Sequence, residues 1–146
     1  MESKSDIIKD AFRMLEKVNV KVSQEFEVLL NHELSPKQEL VLKTVRDAEK
    51  ITINALSEIT GFSPSSLSQL VSRMEEAGYL KREINLNNRR EIFVMLGENG
   101  SQYVKDYDEV DNEIIKKYYV EFSVEEVQLF RSLVRKLFHA TGFNDK

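Results

Sequence analysis

The stretch "SPSSLSQLVSRMEEAGYLKR", Ser63 to Arg82, carries hydroxyl, amide and guanidinium side chains that could contact a polyanion. Leucine, valine and methionine recur in it at steps of three and four, which predicts a helix with its polar residues on the outer side. Serine forms helices less well than the Glu and Lys of ordinary solvated faces. Short hydroxyls suit a helix that must approach phosphates and base edges closely. The pattern predicts a DNA-contact face, with a merely solvated surface as the alternative. This face consists of Ser65, Ser66, Ser68, Gln69, Ser72 and Arg73.

A second group of cations, Arg89 and Arg90, lies between the β-rich runs "YLKREI" and "EIFVML". The intervening asparagines tolerate the left-handed turn conformation, so the two runs are predicted to form a hairpin. Arginines at the tip of a hairpin are placed to enter a narrow minor groove, whereas isolated basic residues are usually solvated. Lys81 and Arg82, at the base of the hairpin, are placed to touch phosphates.

The elements that position these residues form a helix-turn-helix followed by a wing. A short helix is predicted over residues 53–60, followed by the turn "GFS" and by a helix that begins at Ser63 and Pro64. Gly78 stands where a left-handed residue ends that helix. The preceding helix begins at "SPKQ", which combines an N-cap serine, a first-turn proline and a capping-box glutamine. The hairpin directly after the second helix is the wing.

Long amphipathic helices are predicted at both ends of the chain, over about residues 5–31, 98–120 and 124–141. The first would be roughly 40 Å long, so a compact domain cannot cover its apolar stripe. We therefore expect a homodimer. The predicted organisation is a mainly α fold with a winged helix-turn-helix domain (residues 35–97), a small β-hairpin wing and a helical dimerisation region (residues 1–34 and 98–146). The predicted interface residues are Ile8, Phe12, Leu15, Leu133 and Leu137.

The charged residues support a DNA-binding role through their distribution along the chain more than through the net charge. The net charge is −4, but residues 35–97 hold nine Lys or Arg against eight Asp or Glu, and the flanks hold twelve against seventeen. Negative charge is therefore concentrated at the ends, and the middle can meet a polyanion. The absence of cysteine excludes thiol chemistry. Without a transmembrane run or a leader, we expect a soluble protein of the bacterial cytoplasm.

Enzymatic and metal-binding chemistry has little support in the sequence. His32 and His139 are the only histidines and are far apart, which favours surface or capping roles over a metal site. Nucleophile elbows, phosphate loops and His-Glu-x-x-His patterns are all absent, so we expect neither an enzyme nor a cofactor. The tyrosines of the helix after the wing are more consistent with core or interface packing than with an aromatic effector pocket. They are Tyr103, Tyr107, Tyr118 and Tyr119.

The chain resembles the MarR family of bacterial transcriptional regulators along nearly its whole length. The resemblance lies in "LSPKQELVL", "INALSEITGFSPSSLSQLVSRMEEAGYLKR" and "NNRREIFVMLGENG", together with the long terminal helices. It implies a dimer that binds DNA through the second helix and the wing, and that a small phenolic or lipophilic effector releases. Asn88 and Arg90 stand at the family's wing Asp-x-Arg, so the resemblance adds Asn88 to the DNA-binding residues. Gly97 replaces the threonine that usually follows.

Two functional hypotheses follow. The first is a homodimeric transcriptional repressor that binds a pseudo-palindromic operator, with half-sites about 10 base pairs apart. The alternative is a winged-helix protein-interaction module with a degenerate DNA-binding face. The sequence pI of about 5.3 and the missing wing aspartate favour the alternative. The serines and paired arginines favour DNA binding, and they lie on the contact surface itself.

Overall fold

The structure, a computed structural model, describes residues 1–27 and 32–142. The chain forms two compact units, Met1–Val110 and Asp111–Lys146. The elements in chain order are α1 (Lys4–Phe26), α2 (Pro36–Ala48), β1 (Lys50–Thr52), α3 (Ile53–Thr60), α4 (Pro64–Glu76), β2 (Leu80–Ile84), β3 (Ile92–Leu96), α5 (Glu98–Tyr118) and α6 (Val124–Ala140).

Side-chain caps set the start of the helices where the sequence predicted them. The Ser35 hydroxyl accepts a hydrogen bond from the Gln38 backbone amide, and the Gln38 side-chain oxygen accepts one from the Ser35 backbone amide, which makes a capping box at the start of α2. Ser63 accepts a hydrogen bond from the Ser66 backbone amide at the start of α4, and Ser123 begins α6 with another capping box. For α1, the predicted end near Asn31 lies outside the described residues.

The sheet has three antiparallel strands in the order β1-β3-β2, one more than the predicted hairpin. β1 pairs with β3 in the register Ile51 to Val94. The sequence did not predict β1, because a strand of three residues is too short to show alternation. Glu49, just before β1, turns the chain with a left-handed φ of 63°.

The core of the first unit lies between α2, α3, α4, the sheet and the start of α5. The predicted inner face of α4 is confirmed, since Leu67, Val71 and Met74 are buried. In α3, Leu56 is buried, whereas Ile59, in the last turn of the helix, is exposed. The buried cluster comprises Val41, Leu42, Val45, Ile51, Leu56, Leu67, Val71, Met74, Leu80, Val94 and Tyr103.

Gly97 and Gly100 allow the start of α5 to approach the turn between α4 and β2. A Cβ on Gly97 would lie 2.4 Å from the Gly78 carbonyl oxygen, and one on Gly100 would lie 2.2 Å from the Tyr79 carbonyl oxygen. Both distances are below van der Waals contact. The departure from the family threonine at Gly97 therefore has a steric reason in this chain.

The terminal helices expose their apolar residues within the single chain. In α6 every residue is exposed, and in α1 only Val22 and Phe26 are partly or fully buried. Among the helices that the structure describes, none is both long and apolar enough to cross a membrane.

Candidate nucleic-acid interface

The outer face of α4 is polar and carries no acidic residue in its first turn. Ser65, Ser66, Gln69 and Arg73 are exposed. The Ser63 cap engages the backbone amide of Ser66 at 3.3 Å, which leaves the Ser66 hydroxyl available. The leading turn therefore presents only small, uncharged side chains, and a phosphate or base edge can approach its backbone closely.

Ser68 and Ser72 are half-buried, and Arg82 of β2 accounts for this. The Ser72 hydroxyl donates to the Ser68 carbonyl oxygen at 3.0 Å. Arg82 Nη2 donates to the same carbonyl at 3.1 Å and also to the Ser72 hydroxyl. The Arg82 backbone amide donates to a Glu75 carboxylate oxygen at 2.9 Å. Arg82 therefore joins the base of the wing to α4, and its Nη2 is occupied within the protein.

From the sequence, Ser72 was predicted to contact DNA and Arg82 to touch phosphates. The hydrogen bond between the two side chains was not predicted. A signal was present, because Leu80, Arg82 and Ile84 alternate along β2 and so share one face. Since Leu80 is buried against the core, a guanidinium two residues later must meet the packed helix.

The tip of the wing, residues 85–91, consists of two consecutive β-turns. Asn88 donates its amide to the Asn85 carbonyl at 3.2 Å, and Glu91 donates its amide to the Asn88 carbonyl at 2.9 Å. Each turn is reinforced by its leading asparagine, whose Oδ1 accepts from the backbone amide two residues later, Asn87 at 3.0 Å and Arg90 at 3.3 Å. Such Asx motifs stabilise turns locally.

The asparagines thus act through their side chains and not, as predicted, through left-handed backbone. Among the described residues, Glu49 is the one non-glycine residue with a positive φ. Asn88, which stands at the family's wing aspartate, bonds the Arg90 backbone, and this role does not require a negative charge.

Arg89 and Arg90 project from the second turn of the tip and are both exposed. Within residues 1–27 and 32–142, neither guanidinium has an ion-pair partner. The wing therefore presents two uncompensated positive charges on a hydrogen-bonded turn.

His32 was expected in a surface or capping role and instead links the segment before α2 to α5 and to the turn between α4 and β2. Its Nε2 lies 2.7 Å from an Asp106 carboxylate oxygen of α5, and its Nδ1 lies 3.1 Å from the Tyr79 hydroxyl. The hydrogen bond to His32 holds the pKa of Asp106 below its usual value. In the described ranges, no three His, Cys, Asp or Glu side chains are grouped so as to hold a metal ion.

The tyrosines of α5 divide between core and surface. Tyr103 is buried, and its ring centroid lies 4.6 Å from that of Tyr107. Burial raises the pKa of the Tyr103 phenol. The Tyr107 hydroxyl donates to Glu39 at 3.2 Å, while Tyr118 and Tyr119 remain exposed. Tyr103 and Tyr107 thus take the predicted packing role.

The helix-turn-helix and most of the wing are similar to known transcriptional regulators. Residues 32–91, which contain the helix-turn-helix and most of the wing, match the model of the MarR family. A segment of 92 residues, 63% of this chain, is 32% identical to the HTH-type transcriptional regulator YcgE of Bacillus subtilis. The predicted resemblance to the MarR family is confirmed over residues 32–91.

The matched segment spans 60% of the length of YcgE. Solved structures extend the likeness to the whole fold. RV1404 from Mycobacterium tuberculosis matches with a TM-score of 0.74, at 21% identity and over 99% of each chain. A mutant MarR from Escherichia coli, complexed with operator DNA, matches with a TM-score of 0.58 at 22% identity, over 93% of this chain and 99% of that one. The predicted mainly α winged helix-turn-helix fold is thereby confirmed.

Proposed function

We propose that this protein is a sequence-specific, DNA-binding transcriptional regulator of the MarR family, without enzymatic activity. In this proposal α4 enters the major groove and the wing tip reaches the adjacent minor groove. One observation carries it: the small polar face of α4 and the unpaired Arg89 and Arg90 belong to one packed domain and are joined through Arg82. The relative from Escherichia coli that was solved with operator DNA supports the same function.

The exposed side chains fall into two roles. Gln69 lies in mid-helix, and its amide can bind adenine with two hydrogen bonds, so we assign it to base reading. Ser65 and Ser66, in the leading turn, donate to phosphates or base edges. Arg73, Arg89 and Arg90 supply positive charge, with the two wing arginines in the minor groove. A positioning role is assigned to Ser68, Ser72 and Asn88, which hold these groups in place. Any DNA contact that these three residues make is to the sugar-phosphate backbone.

The regulator is proposed to act as a homodimer joined through α1 and α6. On each of these two helices the predicted interface residues are between 41% and 60% exposed in the single chain, and apolar stripes so exposed favour association in water. A twofold axis would place two copies of α4 in successive major grooves, on a pseudo-palindromic operator with half-sites about 10 base pairs apart. The predicted interface residues are Ile8, Phe12, Leu15, Leu133 and Leu137.

Control by a small lipophilic or aromatic effector is proposed from the resemblance to the MarR family, with repression of transcription in the absence of the effector. The dimer can bind DNA only when its two winged helix-turn-helix domains have the spacing that the operator requires. A ligand that binds more tightly to a state with a different spacing lowers DNA affinity by its differential affinity for the two states. Thermal-shift screening with aromatic acids and fatty acids, followed by DNA competition, tests this. A compound that raises the melting temperature and leaves DNA affinity unchanged would refute the coupling for that compound.

Selection from a random-sequence DNA pool by the full chain tests the proposed function directly. We expect enrichment of a pseudo-palindrome that binds far more tightly than random duplex. Gln69→Ala should reduce that preference by about 1 to 3 kcal/mol. Gln102→Ala is the matched control, because Gln102 lies on α5 and bonds its own helix neighbour Asp106. If no sequence is enriched, the protein-interaction alternative is favoured.

A further inference from the structure

Leu86, at the tip of the wing, is an apolar residue whose side chain is almost fully exposed. It is 85% exposed, more than any other large apolar side chain of the described chain except Met1 at the N-terminus. Behind it, Ile84 and Ile92 face each other across the last pair of the β2-β3 ladder and are 58% and 37% exposed. The distal part of the wing is therefore apolar as well as cationic.

The backbone around Leu86 is fixed by hydrogen bonds. Leu86 occupies the second position of the turn 85–88, and Arg89 occupies the corresponding position of the turn 88–91. The neck of the tip is closed twice by Asn85 and Glu91, through an amide-to-carbonyl bond of 3.1 Å and a side-chain bond of 3.0 Å. The two turns thus present one leucine and two arginines on a preorganised support.

We propose that Leu86 is an apolar wedge that enters the minor groove between base pairs and bends the operator. The inference rests on the DNA-binding function proposed above. Charge selects the occupant, because the two adjacent guanidinium groups lack ion-pair partners in the described chain and favour the strongly negative minor groove. Proteins that bend DNA from the minor groove insert leucine and similar side chains between base steps, beside cations that hold the backbone.

A wedge of this kind also implies a sequence preference without hydrogen bonds to bases. Pyrimidine-purine steps unstack more easily than A-tracts, so the step beneath Leu86 should be a flexible one. Leu86 would then determine specificity at a position that the face of α4 does not read.

The test uses the full chain and a duplex that it selects from a random pool, labelled with a fluorescent donor and acceptor at its ends. Wild-type protein should increase energy transfer, which reports a bend. Leu86→Ala should abolish that increase and weaken binding by about tenfold. Leu86→Met, which keeps an apolar side chain, should restore both. Because Leu86 is so exposed, the alanine variant should fold, and its thermal unfolding is measured as a check.

Arg89→Ala is the matched control from the neighbouring turn. It should weaken binding and reduce its salt dependence while the bend persists. The wedge is overturned if the wild-type complex is straight, or if Leu86→Ala binds and bends DNA as the wild type does. It is also overturned if Leu86→Ala changes self-association alone, which would assign the tip to a protein contact. If the wild-type protein selects no duplex, both the proposed DNA-binding function and the proposed wedge are refuted.

Discussion

The link from Arg82 to α4 should be measurable as a coupling between Arg82 and Ser72. Arg82→Met removes the guanidinium and keeps the apolar stem, so it deletes the bonds to the Ser68 carbonyl and the Ser72 hydroxyl. Hydrogen bonds from a charged donor contribute about 1.5 to 3 kcal/mol each, and the lower end applies because the side chain is partly exposed. Arg82 Nε is buried without a hydrogen-bond partner among the described residues, and its removal offsets part of that loss. We therefore expect a net loss of about 1 to 2 kcal/mol in the free energy of unfolding.

A double-mutant cycle separates this link from general destabilisation. Ser72→Ala should cost about 1 kcal/mol alone, and the double variant should be less destabilised than the sum by about 1 kcal/mol. Ser65→Ala, on the exposed leading turn, is the control and should change stability by less than about 0.5 kcal/mol. Urea unfolding is measured at one protein concentration, because dimerisation would otherwise shift the result. Strictly additive free energies would refute the link.

The same cycle has a consequence for DNA binding. If Arg82 holds the wing at a fixed angle to α4, Arg90→Ala should weaken operator binding less in the Arg82→Met background than in the wild type. An equal effect in both backgrounds would show that the wing docks independently of Arg82.

Three further outcomes are expected. Gly97→Thr, which restores the family's usual residue, should destabilise the chain by about 1 to 3 kcal/mol in thermal unfolding, because the Cβ meets the Gly78 carbonyl; unchanged stability would contradict the close approach. Phe12→Glu should produce monomers in light scattering, because the side chain is 55% exposed on the proposed interface; a persistent dimer would move the interface elsewhere. The pKa of Asp106 is lowered by its bond to His32, so its contribution is present above pH ~4, the unfolded pKa, and is lost as the pH falls through the folded pKa. Asp106→Asn should therefore flatten the acid side of the stability profile, and an unaltered slope there would argue against the bond.

The helices were predictable because their signals are local. The starts of three helices follow from N-cap residues that interact with only a few neighbouring residues. These N-cap residues are Ser35, Ser63 and Ser123. The inner face of α4 followed from periodicity alone. β1 was missed because its three residues owe their conformation to pairing with β3, which is distant in sequence.

The candidate site was predictable in its residue types and less so in their roles. Ser72 looks like its neighbours in sequence, and only the approach of β2 turns its hydroxyl toward Arg82. His32 lies 74 positions from Asp106, and periodicity cannot show that the two meet. The exposure of Leu86 was likewise hidden, because an apolar residue in a turn can equally fold back onto the sheet.

Hydroxyl-radical footprinting of the full chain on its selected duplex tests whether α4 and the wing read DNA. We expect two protected regions about 10 base pairs apart, related by the pseudo-palindrome. Each should be flanked by minor-groove protection that disappears in an Arg89→Ala, Arg90→Ala double variant. Uniform protection with no preferred site, or a specific footprint that the double variant leaves intact, would contradict the assignment of α4 and the wing to DNA reading.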